Sequence, residues 1–216
     1  MLSSALAILL LGTRFVWTGE QEYRFLVWNL FLAWVPYGLA IAIRWLHGRG
    51  ARAVTLIPLF VMWLGFLPNG PYLVTDFIHL RYRNGAPLWF DAVMLASFAW
   101  AGVGLGAASL RVCSRVVRER RGPLAAAGFV PLAALATGFG IYLGRFVRLN
   151  TWDVATRPGT VLAQVFSPLA HPLAHPRAWT VTLTFALFFI VAYLASGVAT
   201  LPGARSPGEA GPPRNA

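Results

Sequence analysis

The stretch WTVTLTFALFFIVAYLASGVATL, residues 179–201, carries no charged residue and no proline from end to end. A helix needs about 20 such residues to cross roughly 30 Å of hydrocarbon. Working outward, five further apolar runs appear at residues 2–17, 25–43, 53–67, 88–110 and 124–143. The first and third are short. Asn29 and Pro36 interrupt the second, Pro58 the third, Asp91 the fourth and Pro131 the fifth. Prolines are tolerated in such helices because neighbouring helices and hydroxyls satisfy the freed carbonyls.

The 216-residue composition agrees with this reading. Hydrophobic residues make up 57% and charged residues only 12%, half the share in a typical soluble domain, which is about 25%. That polar surface is too small to keep a compact globule in water, which excludes a soluble enzyme, a disordered chain and a nucleic-acid-binding protein. The positive excess is all arginine, and in a membrane protein it speaks of topology and anionic headgroups. A lone cysteine, Cys113, rules out an internal disulfide.

The expected fold is therefore all-α: one polytopic bundle of about six spans over residues 1–201, followed by a disordered tail at 202–216. Met1-Leu2-Ser3-Ser4 has no positive charge and no small-residue cleavage site precedes Glu20, so the first run is expected as a retained helix and not a signal peptide. The short loops 44–52 and 111–121 carry three and five arginines, and the positive-inside rule places them, with both termini, in the cytoplasm. Seven arginines in the outer loops against ten inside is a shallow bias, so the outer ones are expected to have local partners. Two apolar stretches, 71–80 and 160–174, are too short to span and read as re-entrant or interfacial segments on the outer face. Gly102-x3-Gly106 and Gly140-x3-Gly144 suit close helix packing.

Polar residues gather in two places. In FLPNGPYLVTDFIHLR, residues 66–81, Pro68 and Pro71 bracket Asn69-Gly70, a dipeptide that readily takes positive φ. Asp76, His79 and Arg83 then share a helical face, and Asp91 opens the next helix, where the dipole favours a carboxylate. In GRFVRLNTWDV, residues 144–154, Arg145 and Arg148 share a face and are followed by Asn150 and Asp153. All of these fall on the outer side. The plainest reading is structural: Asp76 pairs with Arg145 or Arg148, and Asp153 with Arg81, pinning loops to helix ends. Ionisable groups at membrane depth otherwise suggest function.

The strings FLPNGPYLVTDFIHL and GRFVRLNTWDV resemble the two signature stretches of a bacterial integral membrane family, domain of unknown function 1361. The resemblance runs from about the second span to the sixth. It implies a multi-pass protein of the bacterial cytoplasmic membrane and no particular activity. Family members tend to carry Ala where Gly70 stands, a difference expected only to loosen that turn.

Three functions follow as expectations. The first is a non-enzymatic protein that binds membrane lipid, an anionic lipid-linked ligand or another envelope component, or that serves envelope assembly; Asn69, Arg145, Arg148, Asn150 and Asp153 are its candidate ligand-binding residues. The second is an enzyme on a lipid-linked or phosphate-bearing substrate, with Asp76 or Asp91 as general base, His79 as acid and the arginines as charge stabilisers. The third is a small transporter, for which only Asn29 lies near mid-membrane. Asp76-x-x-His79 has the spacing of a metal half-site but no second copy, so no metal and no cofactor are expected. His171 and His175 sit among prolines that disfavour joint ligation, and His47, in a basic loop, needs no role. Tyr23 and the tryptophans near helix ends read as an interfacial belt. No HExxH, GxSxG, Walker or GxGxxG pattern is present.

Overall fold

The structure, a computed structural model, describes residues 1–82, 85–147 and 156–198. These are helical, with no β-strand among them. In chain order they form α1 (Leu2–Thr18), a 3-10 turn (Glu22–Arg24), α2 (Phe25–Gly48), α3 (Ala53–Phe66), α4 (Asn69–Tyr72), a 3-10 segment (Leu73–His79), α5 (Leu88–Arg121), α6 (Pro123–Ile141), a π-helical turn (Tyr142–Val147), α7 (Pro158–Ala170), a 3-10 turn (Pro172–Ala174) and α8 (Pro176–Val198). Five runs are long and apolar enough to cross a membrane: Glu22–Gly48, Ala53–His79, Leu88–Arg121, Pro123–Val147 and Pro176–Gly197. The sixth, α1, is shorter at 17 residues. Large side chains face outward along them, Leu9 at 66%, Trp100 at 77% and Leu187 at 64% exposure, as lipid-facing surfaces require and as soluble surfaces avoid.

The longest helix is α5, with 34 residues, about 50 Å at 1.5 Å per residue. It is the post around which α1, α2, α4, α6 and α8 pack, while α6 lies along α8 and α2 along α3. One core cluster, with Leu11, Leu26, Leu73 and Phe98, fills the end where α5 begins. A second, with Ile43, Trp63, Leu110 and Phe189, fills the end where α5 finishes. Cys113 is fully buried in that second core.

The third crossing departs from the expectation. Residues 71–80 were expected to form a separate re-entrant or interfacial segment, but Ala53–His79 is one helical run broken at Leu67–Pro68. The break is seated on glycines. A Cβ placed on Gly70 would stand 2.8 Å from the Gly102 carbonyl oxygen and 3.3 Å from the Gly106 Cα. One on Gly140 would stand 3.0 Å from the Pro68 Cβ, and one on Gly144 3.4 Å from the Tyr72 ring. Both GxxxG motifs thus receive the broken crossing. Gly70 does so with a helical backbone, not the positive φ expected of the Asn-Gly pair, since positive φ is confined to Gly19, Gly50, Gly85 and Gly122 among the described glycines. Its role is close approach to α5, more than a loosened turn. The other short stretch behaves as a short segment: α7 has 13 residues, too few to cross, and touches the π turn and the 3-10 turn that follows it.

Candidate functional site

The ends of α1 and α6 and the starts of α2, α5 and α8 meet at one end of the bundle, and two charge pairs are built into it. In the first, Arg14 comes from the last turns of α1 and Asp91 from the first turn of α5. Both are about 1% exposed. Arg14 Nε donates to Asp91 Oδ1 at 2.7 Å and Nη2 to Oδ2 at 3.3 Å, the fork-on-carboxylate geometry that makes such pairs strong. The guanidinium lies 4.6 Å from the Tyr23 ring centroid, and the Tyr23 hydroxyl donates to the His79 carbonyl at 3.2 Å while standing 3.5 Å from Asp91 Oδ2. Glu20, 3.7 Å from Nη2, is an exposed third partner. Arg14 Nη1 is buried without a hydrogen-bond partner among the described residues.

In the second pair the 3-10 segment carries Asp76, also 1% exposed. Asn29 Nδ2 donates to its Oδ2 at 3.0 Å and Arg145 Nη2 to its Oδ1. Arg145 Nε donates to Thr75 Oγ1 at 2.7 Å, and the guanidinium covers the Tyr72 ring at 4.5 Å. Arg145 sits in the π turn that ends the run Pro123–Val147; single π turns inside helices recur at functional sites. Of the two pairings expected for Asp76, the one with Arg145 is present. Arg148, Asn150, Asp153 and Arg83 lie outside the described residues, and with them the pairing of Asp153 with Arg81.

The remaining candidates are placed as follows. His79 shares the 3-10 segment with Asp76, but its ring packs on Phe25 at 4.9 Å and its carbonyl, not its imidazole, takes the Tyr23 hydroxyl. Asn69 donates to the Phe66 carbonyl at 2.9 Å, satisfying backbone that the break at Pro68 leaves open. Asn29, the one residue that suggested transport, is a support for the Asp76 carboxylate. Tyr23, read as belt, is 2% exposed and part of the Arg14 pair. At the opposite end His47 is tied in after all: Glu119 bonds Arg44 and, at 2.9 Å, His47 Nε2, while Arg120 Nε reaches His47 Nδ1 at 3.0 Å. His175 bonds Ser167 at 2.9 Å and not His171. No group of three or more His, Cys, Asp or Glu suited to a metal ion occurs among the described residues.

The partner of Arg14, which stands near the end of the first apolar run, is not read from the sequence. A lone arginine inside an apolar run asks for a partner by the cost of burying a charge, and Asp91 was the unclaimed carboxylate at the matching end of another helix.

Apolar helices of spanning length around an internally paired charged end define a multi-pass helical membrane protein. The chain belongs to the family described as Protein of unknown function (DUF1361), whose model matches residues 28–192. The match includes Asn29, Asn69, Asp76, Asp91 and Arg145, while Arg14 and Tyr23 precede it. No curated protein and no solved structure matches the chain.

Proposed function

We propose that this is a non-enzymatic protein of the bacterial cytoplasmic membrane whose paired end is a rigid frame that presents arginines to an anionic lipid or envelope component on the outer face. The observation that carries the reading is the sealing of both carboxylates: Asp76 and Asp91 are each 1% exposed and each engaged by a guanidinium. A general base must reach the proton it abstracts, and neither carboxylate offers a free, accessible oxygen. Around the frame Arg24, Arg81 and Arg177 are exposed, and arginine makes bidentate contacts with phosphate. The positive-inside rule sets this end outside.

The test is complementation of a deletion strain alongside analysis of anionic lipid carried through purification. Arg24→Gln with Arg81→Gln is expected to fold normally, lose at least half of the anionic component carried by wild type and complement poorly. Asp76→Asn at wild-type abundance is expected to keep complementing. An Asp76→Asn protein that is folded and abundant yet fails to complement overturns the reading in favour of the lipid-substrate enzyme, with Asp76 and His79 as its acid–base pair.

A further inference from the structure

The opposite end of the bundle is charged differently. Residues 44–52 hold three arginines and residues 111–121 five, against Glu119 alone. Glu119 is taken by Arg44 and His47. Arg120 donates to His47 Nδ1 and to the Ala51 carbonyl. Arg121 is exposed and has no ion-pair partner among the described residues. Beside these two arginines the start of α3 and the last turns of α5 part, leaving a cleft of about 160 Å³ whose lining combines Ile57, Phe60, Val116 and Val117 with Arg120 and Arg121. Ile57 is 60% exposed, so the cleft opens sideways toward the surrounding lipid.

We infer that this cleft seats an anionic phospholipid, its acyl chain along the apolar walls and its phosphate against Arg120 and Arg121. The two halves of the site ask for that ligand together. A free phosphate has no use for the walls, and a zwitterionic lipid brings its own cation to the arginines. Basic pockets between spanning helices on the cytoplasmic side recognise anionic headgroups in this way, and the positive-inside rule puts this end there.

The test uses the full-length protein in neutral detergent micelles with dioleoyl phosphatidylglycerol as the probe and dioleoyl phosphatidylcholine as its control, bound lipid being counted by native mass spectrometry across a titration. Wild type is expected to bind phosphatidylglycerol at least tenfold more tightly than phosphatidylcholine. Arg121→Gln weakens the anionic lipid by about fivefold, the worth of one arginine at a charged membrane surface. Ile57→Trp, which fills the cleft at a surface-exposed position and leaves both arginines, abolishes the same binding. Equal affinity for the two lipids overturns the inference. So does phosphatidylglycerol binding that neither variant moves, or inorganic phosphate that competes as tightly as the lipid. Both variants lie away from Asp76, Arg24 and Arg81, so this outcome and that of the proposed function are read separately.

Discussion

Asp91→Asn is expected to lower the stability of the protein by about 3–5 kcal/mol, the cost of breaking a buried ion pair from one side. The magnitude follows from what the change leaves behind. Arg14 is fully buried, and without the carboxylate its Nε and Nη2 lose their acceptors while Nη1 already has none among the described residues. Glu20, at 3.7 Å and exposed, cannot replace a bidentate partner. A guanidinium cannot escape by losing its proton, so the buried cation remains. Arg14→Gln leaves instead a carboxylate that keeps the Tyr23 hydroxyl within 3.5 Å, and its deficit is expected to be the smaller of the two. The double variant Arg14→Met, Asp91→Leu removes both charges and fills the space, and by the behaviour of replaced buried pairs it recovers most of the loss. Reversible unfolding in mixed micelles measures all three. Recovery in the double variant separates a structural pair from a site kept for chemistry.

Gly138→Ala is expected to cost about 1–3 kcal/mol, the range for overpacking a close-packed interior, although alanine is the better helix former by about 1 kcal/mol. A Cβ at Gly138 would press on the backbone of α8, 3.0 Å from the Thr182 carbonyl carbon and 3.1 Å from the Ala186 nitrogen, as well as on the Thr182 oxygen. Backbone in a neighbouring helix cannot swing aside as a side chain does, so α6 and α8 must shift apart at this contact. Gly128, ten residues earlier in the same helix, has nothing within 4 Å of the same position. Gly128→Ala is therefore expected to be neutral or stabilising by up to about 1 kcal/mol. The opposite signs of the two substitutions, read by thermal unfolding in detergent, check the packing of α6 on α8 without touching any polar group.

Apolar run length was enough to read the class and most of the spans, because the length of a crossing is set by the bilayer and not by the fold. The pairing of Asp76 with Arg145 was readable too, since each stands near the end of an apolar run on the same side. Three things were not. The crossing Ala53–His79 looked like a short span plus a loose segment because Pro68 and Pro71 interrupt the pattern; only the approach of Gly70 to Gly102 shows that the chain keeps its course. Arg14 and Asp91 are 77 residues apart, and nothing in the periodicity of α1 and α5 says that these helices touch. His47 reads as a loop residue because its partners, Glu119 and Arg120, belong to a helix that outlasts its apolar stretch by about three turns.

The charged residues at the paired end hold the bundle together. The most direct test is a double-mutant cycle on Asp76→Asn and Arg145→Gln, with each unfolding free energy measured in the same micelles. Both single variants are expected to be less stable than wild type, the double variant less damaged than their sum, and the coupling about 0.5–3 kcal/mol. Single variants as stable as wild type or more so, with no coupling between them, would contradict it: Asp76 would then be held against the stability of the fold, as groups kept for activity are.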